Sequence, residues 1–203
     1  MAVDLELVRA REEKNRERRY GISLVWFPTP ELLRAARTFI AAAQRACPGF
    51  LAPYPVAHAS VFRCNSLRAP LGQIKETALL AAGAKELRCA DVTARKMLLC
   101  GDGVLRLQLS PLCIGQSASL QRFFQANALT FEQVTEPWLS FGLVNREHYP
   151  DAQAMALVEA AVENIEFPQM QCKVGCLHAA AYEDILLRSH RVLATLILGG
   201  ATQ

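Results

Sequence analysis

The stretch PWLSFG, Pro137–Gly142, decides how this chain is read. It repeats in outline the earlier stretch PVAHASVF, Pro55–Phe62: a ring residue, a small or apolar one, a serine, then an apolar one. In the first copy the ring is the imidazole of His58; in the second it is the indole of Trp138. Side chains alternate between the faces of a strand, so His58 and Ser60 share a side, and so do Trp138 and Ser140. An imidazole beside a hydroxyl suits phosphate chemistry, because the nitrogen moves a proton while the hydroxyl holds a phosphoryl oxygen. Two such pairs facing each other would supply an acid and a base. With Trp138 in the second stretch, one of the two partners is lost.

Working outward, the two stretches sit in similar surroundings. YGISLVWF is a β-rich apolar run closed by the turn FPTPE, and PELLRAARTFIAAAQRAC follows with Leu32, Leu33, Ala36, Phe39, Ile40 and Ala43 at helical spacing. PVAHASVFRC reads as the next strand and LGQIKETALLAAGAK as a helix. LRCADVTARKMLL and VLRLQLSP are strands separated by the turn signal GDG; SASLQRFFQANAL is a Ser-capped helix. PWLSFGLV is a strand, followed by the helix PDAQAMALVEAAVENI with its favourable Pro and Asp at the start. MQCKVGCLHAAAYED and HRVLATLIL are expected to close the chain as a hairpin, with ILLRSH between them readable as turn or helix. Paired strands between helices predict an α+β fold with antiparallel sheets rather than a doubly wound parallel sheet.

The pattern resembles the two-histidine phosphoesterase superfamily, the 2H or LigT-like family, over about Tyr20 to Leu198. The resemblance is carried by HASV, by WLSF one strand-helix round later, by the closing RVLATLIL, and by element order. It implies a two-lobed, pseudo-symmetric α+β fold with antiparallel sheets flanked by helices. Each lobe carries one H-x-[ST]-x motif across a central cleft. It also implies hydrolysis of 2',3'-cyclic phosphates or related phosphodiesters, or action on 2'-5' RNA linkages, with no required metal or cofactor. Carried over, His58 matches the first histidine, Ser60 and Ser140 the two hydroxyl residues, and Trp138 departs from the pattern. Indole donates one hydrogen bond and cannot exchange a proton near neutral pH, so a two-histidine mechanism is crippled. The expectation is that the large ring fills or lids the former cleft; stacking on a nucleobase is the alternative role.

Composition leaves the partner open. The chain has 203 residues, 52% hydrophobic and 20% charged, with a formal charge of +3, too mild by itself to argue for nucleic acid. Residues 1–19 read as a charged helical extension, with an apolar patch at Leu5, Leu7 and Val8, and residues 20–203 as a single two-lobed domain. A helix polar nearly all round is expected to be a solvated extension or an arm for a protein partner. Its acidic residues argue against a cleavable organellar presequence. No apolar run reaches the roughly 20 residues of a membrane span. Seven cysteines without a signal peptide point to buried thiols in a reducing, intracellular compartment, cytoplasm or organelle interior. Cys172, Cys176 and His178 would share one strand face, for which packing is the expectation rather than a metal.

The functional expectation is a catalytically degenerate 2H-like protein, serving as a non-catalytic binding or architectural subunit of a larger assembly; a weaker third reading is a binder of a nucleotide or RNA end that kept the cleft without the chemistry. The alternative is an active cyclic phosphodiesterase in which His178 or His190 replaces the missing histidine. His148, in the loop REHYPD, is expected to face solvent, and Arg63, one residue off the His58 face, to be a poor phosphate ligand.

Overall fold

Strands β1 (Gly21–Trp26), β3 (Ala59–Cys64), β6 (Phe131–Gln133), β9 (Cys176–Tyr182) and β10 (His190–Ile197) form one antiparallel sheet, in the order β10-β9-β1-β3-β6. Strands β2 (Leu51–Pro53), β4 (Ala90–Leu99), β5 (Val104–Leu109), β7 (Trp138–Val144) and β8 (Met170–Val174) form the other, in the order β2-β7-β5-β4-β8. The computed structural model describes residues 2–17, 21–64, 77–126, 131–183, 186–188 and 190–199. Helices α1 (Leu5–Arg16), α2 (Pro30–Ala46), α3 (Thr77–Lys85), α4 (Ala118–Ala126) and α5 (Ala152–Glu163) flank the sheets. The fold is therefore α+β with two antiparallel sheets.

One plan is used twice. In the first sheet β1, α2 and β3 follow one another and β1 pairs with β3; in the second, β5, α4 and β7 do the same. The outer strands are exchanged: β2 precedes β3 in the chain but pairs with β7, and β6 precedes β7 but pairs with β3. The two sheets thus exchange one strand each. Helix packing follows the same plan, with α2 against α5 and α3 against α4.

The repeat extends to a bulge. Between β1 and β3 the register runs Leu24↔Phe62 then Val25↔Ser60, which leaves Val61 as an extra residue. Between β5 and β7 it runs Leu105↔Gly142 then Arg106↔Ser140, which leaves Phe141 extra. A residue expelled from the ladder must find another partner for its carbonyl. The Val61 carbonyl accepts from the Val134 N–H at 2.8 Å, and the Phe141 carbonyl accepts from the Tyr54 N–H at 2.8 Å. Each donor stands just past an exchanged strand. Sequence reading missed both exchanged strands, because three-residue segments such as LAP and FEQ carry no usable periodicity.

Helix α1 is not a solvated extension. Asp4 caps it through the N–H groups of Glu6 and Leu7, and the Asp4 N–H donates to the Gly101 carbonyl at 2.8 Å. Val8 is fully buried. The turn between β4 and β5 makes this seat possible: Gly103 has φ +72°, and a Cβ there would lie 2.7 Å from Val8 and 2.8 Å from Val144. Ion pairs complete the docking, Arg11 to Asp102 and Glu12 to Arg146 at 2.9 Å. The polar composition that suggested a free arm instead supplies the contacts to the body.

The closing segment also differs from expectation. MQCKVGCLHAAAYED is not one strand; it breaks at Gly175 into β8, which pairs with β4, and β9, which pairs with β1 and β10. The β9–β10 hairpin is as expected, while Cys172 is carried into the other sheet from Cys176 and His178. Of two apolar clusters among the described residues, the smaller gathers Val25, Ala180 and Leu187; the larger reaches both sheets, with Phe50, Phe62, Phe123, Phe124 and Leu105 fully buried. Burying each such side chain contributes roughly 1.5–3 kcal/mol. Helix ends are satisfied locally, α2 by Thr29, α4 by Ser117 and α5 by Asp151.

Candidate functional site

A cleft of about 490 Å³ is lined by both stretches from which the fold was read. His58 and Ser60 enter from the first sheet, Trp138 and Ser140 from the second. His58 stands one residue ahead of β3, as Trp138 stands at the first residue of β7. All four side chains are partly exposed, while Ala59, Val61, Leu139 and Phe141 between and beyond them are buried. The alternation that places ring and serine on one face thus holds in both strands. Trp138 does not fill the cleft: it is half-buried on a wall, and the volume remaining falls in the range of small-ligand sites.

The expectation for Arg63 is corrected by the bulge. Strict alternation from His58 would send Arg63 away from the cleft, but the extra residue at Val61 shifts the phase by one, and Arg63 lines the cleft with Ser60. It stands opposite Glu132 of β6, which lines the same side.

His58 is suited to accept a proton. Its Nδ1 lies 3.1 Å from the Val56 carbonyl, which can only accept, so Nδ1 carries the hydrogen and Nε2 of the neutral ring keeps its lone pair. Burial pushes the imidazole pKa down; electrostatic interaction with His190 and Arg63 acts in the same direction, against the Val56 contact. Among the described cleft residues His58 is the one histidine. His190 lies close enough to be felt electrostatically, yet it belongs to the same sheet as His58, its Nδ1 donates to the Leu187 carbonyl at 2.6 Å, and it does not line the cleft. His178 also belongs to that sheet, held by Thr195 at 3.1 Å and by Phe27, with ring centroids 4.9 Å apart. His148 is exposed, as expected for its loop.

The wall opposite carries residues that sequence reading did not single out. Arg106 is the direct neighbour of Ser140 across the β5–β7 ladder. Its guanidinium donates to Asp102 at 2.7 Å, and Arg11 of α1 donates to the same carboxylate oxygen through Nε at 2.9 Å. Burial alone would raise the Asp102 pKa; the two guanidiniums overcome it and hold the carboxyl below its ordinary value. Lys14 and Asn15 of α1 and Tyr54 also line the cleft, with the Asn15 amide donating to the Tyr54 hydroxyl at 3.1 Å. Burial raises the Tyr54 pKa, so this phenol is a neutral hydrogen-bonding group near pH 7. The signal for Arg106 was its place in the strand VLRLQL, one strand ahead of the second stretch. Nothing in the sequence of α1 pointed into a cleft.

Cys176 Sγ lies 3.9 Å from His178 Nε2, and Cys172 is buried apart from them. Among the described residues no group of three or more His, Cys, Asp or Glu is placed to hold a metal ion. Cys47 is also buried, Cys89 and Cys100 are partly so, and Cys113 is exposed, so the thiols are not uniformly interior. No described helix is long and apolar enough to cross a membrane. No family model matches the chain, and no curated protein matches it in sequence.

Proposed function

We propose that this chain is a catalytically degenerate 2H phosphoesterase-like protein that binds a phosphate ester in the cleft between its lobes without efficient turnover. The observation that carries this reading is the matched placement of His58 and Trp138. Both precede a serine by two residues, both serines precede a bulge, and the four side chains line one cleft. Hydrolysis of a cyclic phosphodiester needs a proton taken on one side of phosphorus and given on the other. His58, neutral with a free Nε2 lone pair, serves as one carrier. The indole of Trp138 donates a hydrogen bond but no proton, and the loss of one acid–base partner removes about 10²- to 10⁴-fold in rate.

Cations and hydroxyl groups on both walls support retention of an anionic ligand. A binding role is favoured over a purely architectural one, because the helix that would have served as an arm forms part of the cleft wall. The test is hydrolysis of 2',3'-cyclic nucleotides by wild type, His58→Ala and Trp138→His. The expected result is an inactive wild type and a Trp138→His variant that turns over substrate. Turnover by wild type that disappears in His58→Ala would overturn the non-catalytic reading and direct the search to His190 as the second carrier.

A further inference from the structure

The two serines of the cleft have different neighbours. Opposite Ser60, across the β1–β3 ladder, stands Val25; opposite Ser140, at the matching register of β5–β7, stands Arg106. The half with Trp138 brings a guanidinium to the cleft at the register where the other sheet has the fully buried Val25. We infer that Arg106, Ser140 and Arg11 of helix α1 form an anion anchor in the Trp138 half of the cleft, and that it holds the phosphate group of the ligand. The inference rests on the reading of the cleft as a phosphate-ester site and adds where the charge is held and by which residues.

Three observations carry it. Directly opposed residues of an antiparallel pair have Cβ atoms about 4.5–5.5 Å apart on one face, and Arg106 and Ser140, so opposed, both line the cleft. Charge is unequal between the halves. Arg63 stands opposite Glu132 on the His58 side, whereas on the Trp138 side Arg11 and Arg106 share the single carboxylate of Asp102. The three side chains are only 15–26% exposed, so the surplus positive charge is partly withdrawn from water, where an incoming anion is attracted more strongly than at a free surface. Finally, the guanidiniums are oriented. A guanidinium has five N–H donors in a fixed fork; Asp102 and the Cys100 side chain engage part of Arg106's, which fixes the direction in which the remaining donors would meet a phosphate. Asp102 is thus a positioning residue.

Helix α1 gains a purpose from this arrangement. Docked by Val8 and by ion pairs, it brings Arg11 and Lys14 to a cleft that the two sheets alone would leave open on that side. The site is composite, built from both sheets and the N-terminal helix.

The test is calorimetric titration of the full chain with adenosine 2'-monophosphate, with adenosine as the uncharged comparison, for wild type, Arg106→Met, Arg11→Met, Arg63→Met and the exposed α2 variant Arg34→Met. The expected result is binding of the phosphorylated probe over adenosine, weakened about 10-fold or more by Arg106→Met and by Arg11→Met, the scale of a charged hydrogen bond, and unchanged in Arg34→Met. Should Arg106→Met melt at a lower temperature, Arg106→Lys keeps the charge without the fork and should still weaken binding several-fold. Wild-type affinity in both Arg106 variants, with the loss in Arg63→Met instead, would overturn the anchor while leaving the phosphate-ester reading in place. Failure of wild type to prefer the phosphorylated probe would overturn both.

Discussion

The two sheets share a backbone plan and differ in chemistry. Residues 51–64 and 131–144 align without a gap: an exchanged strand, a donor to the other lobe's bulge, a ring residue, a serine and the bulge itself. At matched places the side chains then part company, His58 against Trp138, Val25 against Arg106, Tyr54 against Val134. The conserved items of this internal comparison are those that satisfy main-chain hydrogen bonds, and a buried main-chain group left unpaired is costly whatever side chain it carries. Of the divergent side chains, His58, Trp138, Arg106 and Tyr54 line the cleft, where partial exposure relaxes the packing constraint, while Val25 is fully buried. The lesson is that symmetry of the skeleton does not predict symmetry of function. On the proposed reading one half keeps a proton acceptor in His58 and the other holds charge.

The largest effect should come from making the two halves alike. If Trp138→His restores turnover, adding His58→Ala to it should return the rate to background, a fall of about 10²- to 10⁴-fold measured on the same cyclic nucleotide. Partial activity in the double variant would mean that the new imidazole works without its counterpart, and the matched-site comparison would fail. Next in size is the seat of α1 on the turn between β4 and β5. Gly103→Ala places an L side chain in left-handed backbone, at about 1–2 kcal/mol, and overpacks Val8 and Val144, at about 1–3 kcal/mol more. Gly115→Ala is the control: its φ is +82° but nothing lies within 4 Å, so only the backbone term applies. Denaturant unfolding should separate the two variants, and hydrogen exchange should show α1 losing protection in Gly103→Ala alone. Equal losses would remove the steric account of the seat.

Much of this was legible in the sequence, for identifiable reasons. PELLRAARTFIAAAQRA announced α2 because its apolar residues recur on one face and Thr29-Pro30 starts it well. Strand alternation put His58 beside Ser60 and Trp138 beside Ser140, and the resemblance to the 2H family implied that the two pairs meet across a cleft. The bulge was not legible, since Val61 and Phe141 are ordinary strand residues and only pairing reveals the extra position; the misreading of Arg63 followed from that. The split at Gly175 was hidden because a glycine in an apolar strand pattern reads equally well as a bulge. Helix α1 was misjudged because its hold on the body is largely polar, and polar contacts have no periodic signature.

A smaller effect is expected where the two guanidiniums meet one carboxylate. Asp102→Asn removes the charge that Arg11 and Arg106 share and should cost about 1–3 kcal/mol of unfolding free energy at low salt. The loss should shrink as salt screens the repulsion left between the two arginines. A loss independent of salt would mean that Asp102 acts by hydrogen-bond geometry alone, and the argument from surplus charge in this half would weaken.

The smallest effect lies in the other half and has the sign set by a buried neutral imidazole. Burial lowers the His58 pKa in the folded chain, so below the unfolded value of about 6.5 the unfolded chain binds more protons than the folded one. Stability therefore falls as pH drops from 7 towards 5, and rises again to a plateau above the unfolded pKa. His178, also lowered by burial, contributes in the same direction, so His58→Gln should flatten the slope only in part and His178→Gln should remove a further part. Asp102 works in the same sense but at lower pH, because its depressed pKa matters only beneath the ordinary carboxylate range. Urea unfolding at pH 7, 6 and 5 separates these contributions. A slope unchanged by His58→Gln would place the imidazole in contact with water, in the charge state of a free histidine. The proton-accepting half of the cleft would then lose its physical basis, while the anion-holding half would stand untouched.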